Sequence, residues 1–238
     1  HNELRDALHA GMSTLDIDRL GEEIIRSYDC IPSFLNYNGY PASICVSLNQ
    51  EVVHGIPDKH RIIQEGDIVS LDAGVIYKGY HSDAARTHAV GEVSEEAKKL
   101  IQVTKESFFE GIKFAKAGNH LFDISGAIGR YAEERGYGVV RDLCGHGIGT
   151  ALHEDPQIPN YAQKRRGVRL QAGMTLAIEP MINAGTWRCK VDRKDGWTVT
   201  TQDKQPSAQY EHMLLVTEEG CEVLTLRNDE TLARHIRG

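Results

Sequence analysis

Two parts of this chain carry the same short pattern 107 residues apart, which restricts the possible folds more than composition does. Ala10-Gly11 followed by Asp16-Ile17 returns as Ala117-Gly118 followed by Asp123-Ile124. The same offset takes Gly66 to Gly173 and Asp72 to Glu179. In between, the offset falls to 99: His54-x-x-Pro57 matches His153-x-x-Pro156, and Ser47 matches His146. Several matches at one offset point to a duplicated unit of helix, strand, H-x-x-P, loop, and a strand with an acid six residues after a glycine. An α+β chain is therefore expected, with two halves (about 3–92 and 93–226) related by a pseudo-two-fold and fused into one catalytic domain over 1–238. Acids and histidines from both halves should meet on the axis.

The stretch 66–86, GDIVSLDAGVIYKGYHSDAAR, shows what the repeated acid does. Ile68-Val69-Ser70-Leu71 reads as a buried strand and Gly79-Tyr80-His81-Ser82 begins the strand that returns. A turn centred between Tyr77 and Lys78 would set Asp72 directly opposite Asp83, with Cβ atoms roughly 5 Å apart. Two carboxylates that close repel unless a proton or a cation lies between them.

Around the hairpin, Ser13 and Asp16 can cap a helix with the apolar face Ile17, Leu20, Ile24 and Ile25. Residues 43–48 and 51–53 read as short strands ending at His54. Ser94 starts a long helix that ends by Gly118, and a second helix carrying Leu121, Ile124 and Ile128 stops at Gly136. A glycine-rich turn is expected at 145–149, loops at 154–170 and 183–196, a strand at 175–178, and a final strand pair at 209–217 and 222–226. Residues 3–10 look like the tail of a helix already under way, so residues before His1 are expected.

Composition narrows the function. A net charge of −7 disfavours DNA held by bulk electrostatics, and no uncharged apolar run approaches the roughly 18 residues of a membrane span. Five scattered cysteines without a C-x-x-C pair suit a reducing compartment, so a cytoplasmic location is expected. Five potential ligands, Asp72, Asp83, His146, Glu179 and Glu211, should then point at one place. Four carboxylates and an imidazole suit Mn, Fe, Co or Zn, while the lack of thiolates disfavours a structural zinc site. About two divalent ions are needed to balance four acids in a partly dry pocket, and a pair of such ions can activate a water for hydrolysis.

The spacing of Asp72 and Asp83, GHGIG around His146, LHEDP at His153, AIEP at Glu179 and the late Glu211 closely resemble type I methionine aminopeptidases over nearly the whole chain. That resemblance implies the pita-bread fold, a dinuclear metal centre and removal of N-terminal methionine from nascent proteins and peptides, with a small second residue preferred. It implies that Asp72 chelates one metal, that Asp83 and Glu211 bridge both, and that His146 and Glu179 complete the other site. Two histidines would act on the substrate: His153 on the scissile carbonyl oxygen and His54 beside the scissile nitrogen. Glu179 would carry protons. The methionine slot corresponds to Tyr37, Tyr40, Cys45, His54 and Trp197 with Phe34 nearby, and Phe34 and Leu152 depart from some relatives. A monomer is expected, and a monovalent cation beside the site is left open. Lys164-Arg165-Arg166 reads first as a solvated loop, with contact to the ribosome surface as the alternative. Two rival readings are a proline-directed aminopeptidase of the same fold and a non-catalytic binding protein on this scaffold. A phosphate-loop reading of GHGIG fails for want of the following Lys-Ser/Thr.

Overall fold

The computed structural model describes residues 1–227, residue 230 and the backbone of 235–237. Helix α1 spans Asn2–Ala7 and α2 spans Thr14–Ser27. Ser13 Oγ accepts from the Asp16 N–H at 3.1 Å while Asp16 Oδ2 accepts from the Ser13 N–H at 2.9 Å, a reciprocal cap whose loss typically costs about 1 kcal/mol. The inner face of α2, with Ile17 and Ile25, packs on Ile44, Val46, Val69 and Leu71. Helix α3 covers Glu95–Ile112 and α4 covers Leu121–Glu133. Phe108 and Ile112 of α3 and Ile124 and Ile128 of α4 bury against Leu176, Ile178 and Leu214.

The sequence offset reappears in the contacts. The Gly11 N–H donates to Ile63 O at 2.8 Å, and the Gly118 N–H donates to Leu170 O at 2.9 Å. The Thr14 N–H donates to Arg61 O and the Leu121 N–H to Val168 O, both at 2.9 Å. Isolated bridges join Ser13 to Ile62 and His120 to Arg169. Asp123 also caps α4 as Asp16 caps α2, accepting from the His120 N–H at 3.0 Å.

The hairpin runs through Ile68–Tyr77 and Tyr80–Ala89, with one register correction. Its turn is Lys78-Gly79, both left-handed (φ 50° and 85°), the mirror-image turn that matches strand twist. Tyr77 therefore pairs with Tyr80, Asp72 with Ala85 and Asp83 with Gly74. The two acids are diagonal neighbours rather than directly opposed. Because the turn moves by one residue, both keep the same face of the sheet.

Residues 145–149 also differ from the expected turn: Gly145–Gly147 is a buried strand between Glu154–Ile158 and Thr175–Ile178. A Cβ on Gly145 would lie 2.3 Å from Ala177 O, and one on Gly147 would lie 2.2 Å from Asp155 O. The glycines are there because neighbouring backbones press on both sides. Strands also interrupt the two expected loops, at Glu154–Ile158 in the first and Cys189–Val191 in the second. The last strand run is broken: Ser207–Gln209 pairs with Met181–Asn183, and His212–Val216 pairs with Thr175–Ile178 and with Gly220–Val223. Alternation alone did not reveal these short pieces, because each has fewer than six residues. Among the described residues, all strand pairs are antiparallel, and no helix is long and apolar enough to cross a membrane.

Candidate active site

The break between the last two strand pieces puts Glu211 beside the hairpin. The Glu211 N–H donates to Ala85 O at 2.9 Å, and Tyr210 forms an isolated bridge with Arg86. The buried Arg86 guanidinium donates to Glu211 O and Ala85 O, lies within 3.0 Å of both ring nitrogens of His212, and covers the Tyr210 ring at 4.3 Å. One cation thus ties the backbone of the late acid to the strand that carries Asp83. His146 enters from the glycine strand, where it pairs with Ala177, two residues before Glu179.

All five expected ligands line one cavity of about 400 Å³. Ligand atoms of Asp83, His146 and Glu211 lie within 4.8 Å of one another. His146 Nε2 stands 3.7 Å from Glu179 Oε1 and 4.0 Å from Asp83 Oδ2. The other ring nitrogen, Nδ1, is 2.9 Å from Gly147 O. A carbonyl only accepts, so Nδ1 carries the proton and the Nε2 lone pair faces the acids. The buried Asp72 Oδ1 and Asp83 Oδ1 have no hydrogen-bond partner. Buried oxygens without donors, grouped around an imidazole lone pair, fit a divalent cation.

Burial pushes the Asp72 carboxyl up to about 7, against hydrogen bonds from Asp83 and Gln209 that lower it. Burial and the neighbouring carboxylates hold Asp83, Glu179 and Glu211 well above the usual range. Burial lowers His146 and His54 to about 4, with His153 adding to the effect, and it lowers His153 as well. An acid raised in the folded state holds its proton more tightly there, so its contribution to stability is lost as pH climbs from about 4 through the folded pKa. The three depressed histidines act oppositely, their contribution being gained as pH climbs to about 6.5, their ordinary value. Above that the raised acids are the groups of this site that still titrate. We therefore expect metal-stripped protein to lose stability as pH rises from about 6.5 for as long as the raised acids hold their protons, by about 1.4 kcal/mol per pH unit for each proton still held. Denaturant midpoints across that range, with and without saturating Mn²⁺, check this: the metal-loaded curve should be flat by comparison.

The walls above the acids are Phe34, Tyr37, Tyr40, Cys45, Leu152 and Trp197, with His54 and His153 at the junction. Tyr40 meets Trp197 edge-on at 5.2 Å, and Trp197 meets the His54 ring at 6.1 Å. His54 adopts φ 59°, sparsely populated for a residue with a Cβ and held by its surroundings. His153 Nδ1 lies 2.7 Å from the Tyr37 hydroxyl, and its ring centroid is 4.2 Å from that of His146. If the tyrosine donates to Nδ1, the proton of a neutral His153 sits on Nε2. Every site residue expected from the sequence is in this cavity, along with two that the sequence reading missed, and a third stands behind it. Asn38 and Gln157 line the wall, and Gln209 reaches the acids from behind. For Gln209 a signal existed, since it lies two residues before Glu211. Nothing in the sequence marks the other two.

Acids and an imidazole at the floor of an aromatic slot define a candidate metal-dependent hydrolase site. Comparison with known proteins agrees: the family model of metallopeptidase family M24 matches residues 1–218. The chain belongs to that family. It is 56% identical to the methionine aminopeptidase of Clostridium acetobutylicum over 225 residues, 94% of this chain and 90% of that one. The crystal structure of the Rickettsia prowazekii methionine aminopeptidase superposes with a TM-score of 0.92 at 44% identity, covering 94% of this chain and 90% of that one. The expected pita-bread fold is thus the fold of this chain. The Xaa-Pro dipeptidase of Bacillus anthracis is more distant, with a TM-score of 0.74 and 26% identity; the match covers 57% of its length.

Proposed function

We propose that this chain is a metalloaminopeptidase that removes N-terminal methionine from peptides and nascent proteins and prefers a small second residue. The observation that carries this reading is the convergence of five ligand-type side chains beneath an apolar slot closed by Tyr40, Cys45 and Trp197. Asp72, Asp83, His146, Glu179 and Glu211 would hold two divalent ions, with Asp83 and Glu211 shared between them. Bound there, such ions supply Lewis acidity that activates water and polarises a carbonyl.

The chain's own groups do the rest. The slot takes the unbranched, polarisable methionine side chain. With its proton on Nε2, His153 donates to the carbonyl oxygen as charge develops there. His54, neutral at pH 7 because burial lowers it, can approach the scissile nitrogen without repelling the cationic α-amine of the substrate. Glu179 takes a proton from the attacking water and passes it to the leaving amine. The α-amine lies toward Asp72, which limits cleavage to the first residue.

Turnover of Met-Ala-Ser, Leu-Ala-Ser, Met-Pro-Ser and Ala-Pro-Ser with Mn²⁺, Co²⁺ or Fe²⁺ tests the reading. Methionine release from Met-Ala-Ser should exceed turnover of the other three by at least ~10²-fold, the scale at which a shaped pocket discriminates. Faster cleavage of Ala-Pro-Ser would favour a proline-directed enzyme, and no turnover with any metal would favour a binding protein.

A further inference from the structure

Gln209 is 2% exposed and takes no part in the roles above. Its Nε2 donates to Glu179 Oε2 at 3.4 Å, and the same amide is close enough to Asp72 to oppose the rise of that carboxyl. Asp72 belongs to the hairpin and Glu179 follows the strand Thr175–Ile178, so one carboxamide serves acids from distant parts of the chain. Its backbone is fixed from the hairpin side too. The Gln209 N–H donates to Thr87 Oγ1 at 2.9 Å, and the Thr87 hydroxyl lies 2.9 Å from Gln209 O and 2.7 Å from Ser70 Oγ. On its other edge Gln209 pairs with Met181, two residues past Glu179. Gln209 Oε1 is buried without a partner, so the donor end of the amide is the end in use.

The chemistry of the group matters as much as its place. No lysine or arginine lines the cavity among the described residues. An ammonium or guanidinium there would orient the acids but cancel the charge that attracts a cation. A carboxamide supplies two N–H donors and no net charge. Asp72 and Glu179 each have rotatable bonds, and a donor to one oxygen holds the other oxygen's direction.

We propose that Gln209 is a positioning residue of the acid cluster, its two amide hydrogens fixing the Asp72 and Glu179 carboxylates in the orientation that receives divalent cations. This rests on the metal-site reading above, and the test separates the two. Metal-free wild type, Gln209→Leu and Gln209→Glu are each titrated calorimetrically with Mn²⁺ without substrate, then assayed on Met-Ala-Ser at saturating Mn²⁺. Both variants keep the approximate volume of glutamine and remove its amide donors, but only the second adds an acid. Positioning predicts that both bind Mn²⁺ 10–100-fold more weakly, the usual scale for groups that orient ligands. It also predicts that KM stays within about 2-fold while kcat falls, because the slot is untouched. Wild-type affinity in Gln209→Leu overturns the proposal, as does tighter binding in Gln209→Glu. If Gln209→Leu fails to fold, Gln209→Glu decides by the same criterion. A wild type that binds no Mn²⁺ overturns the metal-site reading itself.

Discussion

Asp83→Asn should remove tight Mn²⁺ binding at both cation positions and lower kcat/KM by on the order of 10³-fold or more, about 4 kcal/mol of transition-state stabilisation. Asparagine keeps the shape of the side chain but offers one neutral oxygen where the acid offers two charged ones. Asp83 is the residue for which that exchange costs most. Its ligand atom lies within 4.8 Å of those of His146 and Glu211, and it is a diagonal neighbour of Asp72 across the hairpin. An oxygen pair so placed faces both groups of ligands, so both sites should fail together. Calorimetric titration of the metal-free variant reads this out as a stoichiometry. Two intact sites of wild-type affinity would contradict the shared role and leave Asp83 as a ligand of one ion at most. The unfolding midpoint of the metal-free variant should rise, because burial already disfavours ionised Asp83 and the substitution removes a carboxylate that Glu211 and Asp72 oppose.

The sequence made the site legible because its chemistry uses side-chain types that have few other reasons to recur at a fixed offset. Asp16 and Asp123 each cap a helix, Ile63 and Leu170 each accept from the matching glycine, and Asp72 and Glu179 each sit six residues past a glycine. What stayed hidden depends on backbone detail. The hairpin register turned on whether Lys78 could enter the left-handed region, which lysine does less readily than asparagine or glycine, and here it does, at φ 50°. The glycine strand looked like a turn because the residues that exclude a Cβ there, Ala177 and Asp155, lie far away in sequence. Arg86 gave no signal either. Its partners Glu211 and His212 lie more than a hundred residues later, and a lone arginine after two alanines reads as a surface residue until the fold buries it.

His153→Ala should lower kcat on Met-Ala-Ser by ~10²–10³ while leaving the Mn²⁺ titration of the metal-free protein unchanged, the scale of removing one donor to a developing oxyanion. The distinction from its neighbour is geometric. The His146 and His153 ring centroids lie 4.2 Å apart with the rings tilted by 52°, yet they are held in opposite senses. His146 donates through Nδ1 to Gly147 O and turns a lone pair to the acids, whereas His153 meets the Tyr37 hydroxyl at Nδ1 and is left with a proton on Nε2 if that hydroxyl donates. One imidazole can then accept a cation and the other can donate a hydrogen bond, from almost the same place. His153→Gln, which retains an N–H donor, should recover part of the lost kcat, a result that loss of packing beside His146 does not predict. Near-wild-type turnover in His153→Ala would take this residue out of the chemistry. A fall in Mn²⁺ affinity in step with kcat would instead assign it to supporting the His146 ring.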